Sequence, residues 1–369
     1  MARTRRFDGR KYSQILRRGA ILSVGVLMLA SCGRGGSGTA ASSGTGAADK
    51  ASGKGLVIGW SQRSVAGSDW YKTLIAGGQA QAQAMGASIQ VLDASGDTSR
   101  QNQDVQTLIS KGVDVVVMNA NDPLGVAPAV NALKKAGIPM VTVNSNLDPT
   151  LVSNMYCYVA EDQVATGAKA GEVIANQALA KFGPSGRIKL LAVGGFPGDV
   201  ISELRYKGFM QGYNKVMSAN PGVKTTELPI RYGHWLPDQA LQPVRDVATA
   251  NPDLNVIYSE SDVMQSGIQQ ALQQAGVWGP KIIEGAYDGG MTSIKQMVDN
   301  PTGPLQADAS NQPWDQGASA VKMALNAFNK DPQGCPGGTK YIATTVVTPK
   351  TAASYYKAAD TYVRAQAGQ

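Results

Sequence analysis

Short apolar runs alternate with longer amphipathic stretches along most of this chain. Two runs rich in β-branched residues, Val113–Met118 and Met140–Val143, have the pattern of strands that are buried on both faces. The stretch between them, Pro123–Ala136, has apolar residues at helical spacing and ends before Gly137. Residues 111–146 therefore predict one strand–helix–strand unit, with a right-handed crossover and parallel strands.

The same alternation continues on both sides of this unit. Residues 55–146 predict four strands and three helices, which is the plan of one doubly wound α/β lobe. After a predicted break at Leu147–Tyr158 the pattern restarts with a helix at Asp162–Phe182, and the second half has more segments than one sheet needs. We therefore expect the chain to cross back and complete the first lobe. The predicted strands are Leu56–Ser61, Ser88–Asp93, Val113–Met118, Met140–Val143, Arg187–Val193, Val223–Leu228, Val256–Ser259, Lys281–Ala286, Leu305–Ala309 and Tyr341–Val347.

Two amide side chains, Asn119 and Asn144, directly follow the strands of the first unit. In open α/β sheets ligands bind outside the carboxyl ends of the strands, so these amides are expected where a ligand would be recognised. Asn also ends strands and begins turns for purely structural reasons. For either residue alone, a ligand-binding role and a purely structural role are equally well supported.

The net charge of +7 belongs to the first residues and not to the folded body. Residues 1–31 carry seven basic side chains and one acidic side chain, which leaves a net charge of only +1 for the remainder. A nucleic-acid-binding domain would need a basic surface, so this charge distribution argues against a nucleic-acid partner.

The N-terminal segment has the pattern of an export signal. Its apolar run, Ala20–Ala30, is too short to span a bilayer, and Leu29-Ala30-Ser31-Cys32 matches the bacterial lipobox. Residues 1–31 are therefore predicted to be a lipoprotein signal peptide, with Cys32 as the lipid anchor. Residues 32–54 are predicted to be the lipidated Cys and a flexible Gly/Ser linker. A chance buried cysteine is the alternative for Cys32, and the export pathway stays open.

Two further cysteines, Cys157 and Cys335, remain if Cys32 is lipidated. Outside the cytoplasm an even pair of cysteines is a disulfide candidate. The residues alone do not show whether the two approach each other, so two free buried thiols are an equal alternative.

A series of sequence pieces follows one order across about residues 56–347. The pieces are LVIGWS and SDWYKTLIAG, QNQDVQTLISKGVDVVVMNAND, AGIPMVTVN, VAEDQVATGAKAGEVIA, RYKGFMQGY, NPDLNVIYSESD, IIEGAYDGG and NQPWDQGASA. In this ordered set the chain resembles the sugar-binding type I periplasmic binding proteins, the ribose-binding protein group in particular. No single piece is specific for this family, but the ordered series of pieces is.

The resemblance implies two Rossmann-like, doubly wound lobes joined by a three-strand hinge, with one ligand clamped in the cleft. On that template lobe 1 is residues 55–159 plus 312–342, and lobe 2 is residues 160–311 plus 343–369. Cys157 and Cys335 would then both lie in lobe 1 near the hinge, which favours the disulfide. The implied partners are a small-molecule ligand and the permease of an ABC importer, and a monomer is expected.

A sugar has hydroxyls on its rim and C–H faces above and below, so its site needs aromatic rings and planar polar side chains. At the matching positions the aromatic candidates are Trp70 and Tyr71 in lobe 1, and Trp235 and Tyr287 in lobe 2. The polar candidates are Asn119 and Asn144 in lobe 1, and Glu203, Ser261, Asp288 and Asn311 in lobe 2. The aromatic residues could instead be core residues, and Asp288 could instead be a helix cap.

The chain departs from the ribose-binding pattern at three places. It has Asn144-Ser145 where that pattern has Asp-Arg, Glu203 where it has a further Arg, and no arginine after Trp235. These changes disfavour ribose itself, favour another pentose, a hexose or a polyol, and leave room for a cationic or nucleoside-like ligand. Glu161 and His234 are interpreted as ordinary hinge or surface groups.

Little in the sequence suggests an enzyme. His234 is the only histidine, and the chain has no G-x-S-x-G or H-E-x-x-H pattern. The sequence therefore predicts an exported solute-binding protein for a sugar or polyol, without cofactor or metal. It would be held at the outer face of the bacterial cytoplasmic membrane by its lipid anchor alone. A ligand sensor for a membrane kinase or chemoreceptor and an exported hydrolase are the alternatives.

Overall fold

The computed structural model describes residues 49–66 and 68–357, in which strands and helices alternate as the apolar pattern predicts. The strands are β1 (Val57–Gln62), β2 (Ser88–Asp93), β3 (Val115–Met118), β4 (Met140–Val143), β5 (Cys157–Glu161), β6 (Arg187–Gly194), β7 (Lys224–Glu227), β8 (Arg231–Tyr232), β9 (Val256–Ser259), β10 (Ile283–Asp288), β11 (Leu305–Ser310), β12 (Gly338–Ile342) and β13 (Thr345–Val347). The helices are α1 (Asp69–Met85), α2 (Thr98–Ser110), α3 (Ala127–Ala136), α4 (Gln163–Phe182), α5 (Val200–Ser218), α6 (Pro237–Ala250), α7 (Asp262–Gln274), α8 (Met291–Asp299) and α9 (Pro313–Phe328). A last helical segment covers residues 349–357.

Two sheets form two lobes. In lobe 1 the strand order is β12-β5-β4-β3-β1-β2, and all neighbours are parallel. In lobe 2 the order is β13-β11-β10-β9-β6-β7, with β8 also paired to β6 and β13 antiparallel to β11. The predicted fold, two Rossmann-like α/β lobes, is confirmed.

Apolar residues cover both faces of each sheet. Every residue of β3 and of β4 is buried, which explains why these strands are continuous apolar runs and do not alternate. Trp60 of β1 is fully buried on one face of the lobe 1 sheet, whereas Met118 of β3 packs in the cluster on the other face.

The described chain passes between the lobes three times. It leaves lobe 1 after β5, returns through α9 after β11, and leaves again between β12 and β13. The returning helix α9 packs closely on α1 in lobe 1. A Cβ atom at Gly77 would lie 2.1 Å from the carbonyl oxygen of Trp314, so this close helix contact requires glycine.

Two predicted segments differ from the structure around these crossings. The stretch Leu147–Tyr158, expected as a break, contains the start of β5, which pairs with β4 and β12. The polar side chains of Tyr158 and Glu161 interrupt its apolar run and hide the strand in the sequence. The predicted single strand Tyr341–Val347 is two strands, because the chain changes sheets between Ile342 and Thr345.

Helix α3 begins later than the sequence predicts. The predicted helix starts at Pro123, but the Asp122 carboxylate accepts hydrogen bonds from the backbone N–H groups of Leu124 and Gly125 and forms a turn there. Aspartate commonly stabilises such turns through its own side chain, and this competes with the helix.

Cys157 and Cys335 are joined by a disulfide, with their Cα atoms 5.2 Å apart. The bond ties β5 to the segment that precedes β12, its neighbour in the lobe 1 sheet. The alternative of two free thiols is therefore wrong.

The predicted signal peptide, residues 1–31, and the predicted anchor Cys32 lie outside the described residues. The predicted flexible linker reaches too far, because its last residues pack on lobe 1. Lys50 Nζ lies 2.7 Å from Asp114 Oδ1, and Asn329 Nδ2 donates to the Ala51 carbonyl at 2.8 Å. Across the described ranges, no helix is long and apolar enough to cross a membrane.

Candidate ligand-binding cleft

Asp288 is the centre of a polar network at the carboxyl end of β10. Its Oδ1 accepts hydrogen bonds from Arg205 Nη1 at 2.9 Å and from Asn311 Nδ2 at 3.2 Å. Its Oδ2 accepts from Ser261 Oγ at 2.6 Å. Ser261 is the N-cap of α7 and Asn311 follows β11, so three neighbouring strand ends supply this network, where an open α/β sheet binds its ligand.

Arg205, in α5, belongs to this network and is not among the candidate residues that the sequence predicted. Its side chain is only 6% exposed, and its Nη2 lies 3.6 Å from Glu161 Oε1. Nη1 also donates to the Glu260 carbonyl at 2.6 Å, and Nε donates to Gln163 Oε1 at 2.8 Å. Because Glu161 and Gln163 flank the crossing between β5 and α4, Arg205 connects the Asp288 network with the hinge.

Two aromatic rings accompany the Arg205 guanidinium. Its Cζ lies 4.0 Å from the ring centre of Tyr287 and 5.8 Å from that of Trp235, distances at which cation–π attraction operates. Tyr287 is fully buried in the core of lobe 2, which is the alternative that the sequence left open, and its ring packs against Arg205 there. Trp235 is half-buried, and its Nε1 donates to Asp199 Oδ2 at 3.2 Å.

Lobe 1 contributes two aromatic residues from the first turn of α1. The rings of Trp70 and Tyr71 meet edge to face with centres 5.4 Å apart. Trp70 Nε1 donates a hydrogen bond to Asn311 Oδ1 at 2.5 Å, so the two lobes touch here. Burial raises the pKa of the Tyr71 hydroxyl; Arg63 lowers it and Asp288 raises it further. Tyr71 therefore lies within electrostatic reach of the lobe 2 network.

Asn119 and Asn144 lie at the carboxyl ends of β3 and β4, as predicted. Asn119 is completely buried, and neither polar atom of its side chain has a hydrogen-bond partner among the described residues. An unsatisfied buried amide costs about 1–3 kcal/mol, so Asn119 is well suited to bond a ligand. Asn144 is half-buried and has a left-handed backbone, φ 62°, with its carbonyl bonded by the Tyr158 hydroxyl at 2.6 Å.

Glu161 flanks a hinge crossing, as expected, but it is buried and adjoins the Asp288 network through Arg205. Its side chain is 1% exposed, and its Oε1 lies 3.6 Å from Arg205 Nη2. Burial raises the pKa of Glu161 to about 8; Arg205 lowers it and Asp288 raises it. Glu161 is therefore largely protonated at neutral pH.

Glu203 takes no part in the Asp288 network, to which Arg205 supplies the positive charge. Glu203 is exposed in the first turn of α5, where its charge suits the helix dipole. Arg205 follows two residues later, about 200° around the helix, and is buried against the Asp288 network. The room for a cationic ligand that Glu203 suggested therefore loses its basis. His234 is exposed and stacks on Phe196, with ring centres 4.7 Å apart.

This arrangement suits recognition of a small neutral molecule with several hydroxyls. Carboxylate, guanidinium and amide groups are fixed at the strand ends and can bond neighbouring hydroxyls, while indole rings from both lobes can cover apolar C–H faces. Fold and site together define a two-lobe protein that encloses a small polar ligand beside its hinge.

The chain belongs to the periplasmic binding protein family: the family's periplasmic binding protein domain matches residues 58–332. It is 25% identical over 255 residues to the ribose import binding protein RbsB of Bacillus subtilis (strain 168), covering 69% of this chain and 76% of that protein. It is 30% identical over 202 residues to the xylitol-binding protein of Mycolicibacterium smegmatis, covering 53% of each. These matches confirm the predicted resemblance to type I sugar-binding proteins.

A solved structure of an ABC transporter solute-binding protein from Mycobacterium smegmatis, with bound glycerol, is also similar. It is 29% identical to this chain with a TM-score of 0.67, and the match covers 81% of this chain and 96% of that one. The family is one of solute-binding proteins and not of enzymes.

Proposed function

We propose that this protein binds a sugar or polyol between its two lobes, outside the cytoplasm, and delivers it to an ABC importer. The observation that carries the proposal is the position of Asn311, which bonds Trp70 of lobe 1 and Asp288 of lobe 2 at the same time. A ligand at this point contacts both lobes. The ribose, xylitol and glycerol named for the related proteins support this ligand class.

The charge balance of the cleft favours an uncharged ligand. Arg205 and Asp288 neutralise each other at 2.9 Å, and the raised pKa of about 8 leaves Glu161 mostly neutral at pH 7. A charged ligand would add a buried charge without a counter-ion, which costs several kcal/mol. Asp288 Oδ1 already accepts two hydrogen bonds, whereas Oδ2 accepts one from Ser261 and has a further lone pair. Oδ2 can therefore accept a hydrogen bond from a ligand hydroxyl without loss of Arg205.

The proposed mechanism is closure of the lobes about the three crossings. Ligand contacts that form with both lobes stabilise the closed form over the open form, and this difference in contact energy drives the change. Aromatic burial would supply much of the affinity, and the polar network would select the stereochemistry of the hydroxyls. The permease would then recognise the closed form.

A lipid anchor at Cys32 is part of the proposal. The lipobox at Leu29–Cys32 behind an apolar run supports anchoring at the outer face of the cytoplasmic membrane.

A thermal-shift screen of the 33–369 fragment tests the ligand class. The panel contains pentoses, hexoses, polyols, amino acids and nucleosides. A ligand at about 100 times its Kd stabilises the protein by about 2.7 kcal/mol, which raises the Tm by a few degrees. We expect a sugar or polyol to give this shift, and Asn311→Ala to abolish it. A response to amino acids or nucleosides alone would overturn the proposal.

A further inference from the structure

Behind Asp288, two carboxyl groups hold the turn that follows it. Asp308 Oδ1 accepts a hydrogen bond from the Gly289 backbone N–H at 2.9 Å, and Asp262 Oδ2 accepts one from the Gly290 backbone N–H. Asp308 is a completely buried residue of β11, and Asp262 is the first residue of α7. Two separate elements therefore fix consecutive backbone groups of one turn.

The turn has an unusual backbone. Asp288 has φ 115° and Gly289 has φ 75°, both in the region that favours glycine. A Cβ atom on Gly289 would lie 2.4 Å from Ser310 Oγ. Because strained backbone persists only where its surroundings impose it, the direction of the Asp288 carboxylate depends on the groups that hold this turn.

The two carboxyl groups also meet each other. Asp262 Oδ1 and Asp308 Oδ2 are buried and have no hydrogen-bond partner among the described residues. The other oxygen of each carboxyl group accepts from one of two consecutive backbone N–H groups, which places the two carboxyl groups side by side. Two buried carboxylates in contact cannot both ionise without strong repulsion, so one proton between them satisfies both free oxygens.

We propose that Asp262 and Asp308 share a proton, and that this proton holds the 288–290 turn in the conformation that presents Asp288 to the ligand. The two are positioning residues, and the inference rests on the proposed function only for its effect on affinity. Loss of the proton places two negative charges side by side, which loosens the turn and weakens ligand binding.

The surroundings of the pair favour this behaviour. Burial raises the pKa of Asp262, and the charges of Asp308 and Asp288 raise it further. The other titratable groups that face the pair are Glu284 from β10 and Tyr355 from the last helical segment. Both of these groups are acids, so neither can offset a second negative charge in the pair.

A ligand-free measurement tests the inference directly. Hydrogen–deuterium exchange of a peptide covering residues 287–291 is measured at pH 6 and pH 9 and corrected for the intrinsic base-catalysed rate. In the wild type we expect the corrected rate to rise about tenfold at pH 9. This factor corresponds to about 1.4 kcal/mol, the effect of one pKa unit at a single ionisable site. Asp262→Asn keeps the acceptor for Gly290 and gives Asp308 a permanent N–H donor, so its rate should not depend on pH.

Asp104→Asn is the matched control, because Asp104 is a carboxyl of α2 in lobe 1 whose pKa is raised by burial and which does not face the pair. This variant should keep the wild-type response. A constant wild-type rate, an unchanged pH response in Asp262→Asn, or a lost response in Asp104→Asn would each overturn the inference. A fall in protection on adding a chelator at pH 6 would also overturn it, since a bound cation would then hold the pair.

Affinity for xylitol gives the functional readout. Calorimetry at the same two pH values should show wild-type binding weakening about tenfold at pH 9, no such loss in Asp262→Asn, and weak binding at both in Asp262→Ala. Equal pH dependence in the wild type and Asp262→Asn would contradict the positioning role. If xylitol does not bind at pH 6, the exchange result alone decides the inference, and the sugar screen decides the proposed function.

Discussion

Trp70 Nε1 donates a hydrogen bond to Asn311 Oδ1 at 2.5 Å, and this bond joins the first turn of α1 in lobe 1 to the end of β11 in lobe 2. The amide group of Asn311 bonds both sides of the cleft, because its Oδ1 accepts from Trp70 and its Nδ2 donates to Asp288. The residue that joins the two lobes is therefore also the residue at which the chain begins its return to lobe 1.

Trp70→Phe tests this contact between the lobes. Phenylalanine keeps an aromatic ring but cannot donate to Asn311, and one neutral hydrogen bond contributes about 0.5–1.5 kcal/mol. We therefore expect the Kd for the best sugar of the screen to rise about 2- to 10-fold, measured by calorimetry. Trp278→Phe, which changes a half-buried tryptophan packed on the α6–α7 side of lobe 2, should leave the Kd unchanged. Equal effects in both variants would contradict a role for the bond.

Arg205→Met should destabilise the protein strongly. The substitution leaves Asp288 buried without its positive partner, and breaking a buried pair in this way costs about 3–5 kcal/mol. Urea unfolding of the ligand-free protein measures the loss. Arg245→Met, which removes a surface arginine bonded to Gln274, should change the free energy of unfolding by less than about 0.5 kcal/mol. A loss below 1 kcal/mol for Arg205→Met would show that the guanidinium is not the support of this network.

Glu161→Gln should change how stability depends on pH. Burial raises the folded-state pKa of Glu161 from 4.5 to about 8, so its stabilising contribution is complete below about pH 4.5 and is lost as pH rises through about 8. Removing this group should make the free energy of unfolding fall less steeply between pH 5 and 8, by about 1.4 kcal/mol per pH unit. The surface variant Glu172→Gln should keep the wild-type slope, and an unchanged slope in Glu161→Gln would mean that Glu161 is ionised throughout.

Replacing Cys157 and Cys335 with serine should lower stability but not affinity. The disulfide closes a long loop, with a sequence separation of 178, and removal of such a bond costs about 2–5 kcal/mol. Cys157 begins β5, whereas the proposed ligand site lies at the carboxyl ends of the strands, so the Kd should stay within twofold. Denaturant unfolding and calorimetry on the same double variant separate the two effects. A large rise in Kd would place the disulfide in the binding mechanism.

Cys32→Ala tests the lipid anchor. In lipoproteins the lipid is attached to the thiol of this cysteine and to the amino group that cleavage of the signal peptide exposes on it. Without Cys32 no lipid can be attached, so the protein should move from the membrane fraction to the soluble extracytoplasmic fraction. Immunoblots of fractionated cells measure this, with Cys335→Ala as the control that keeps the lipobox. An unchanged membrane fraction in Cys32→Ala would count against lipidation.

The fold was predictable because its central strands are continuous apolar runs and its helices carry clear end signals. Asn119, Ser261 and Asp288 were predictable for a related reason, since strand ends in an open sheet are recognisable in the sequence. Strand β5 was not predictable, because the polar side chains of Tyr158 and Glu161, close to the hinge, interrupt its apolar run.

Arg205 could not be identified from strand ends, because it lies within a helix and tertiary packing alone buries it. A signal was nevertheless present. Ser202, Gly208 and Phe209, three and four residues away, form the buried face of α5, and Arg205 lies on that same face. A cation on the apolar face of a helix requires a buried anion, and Asp288 is that anion.

The disulfide has a mechanical consequence for the hinge. Two of the three connections leave lobe 1 from adjacent strands, after Glu161 of β5 and after Ile342 of β12, and the Cys157–Cys335 bond clamps these strands together near their starts. In the proposed closure, both connections would therefore move relative to one covalently fixed pair of strands. In an oxidising compartment the disulfide would hold β5 and β12 together while the lobes close. Reduction would let these two strands move relative to each other.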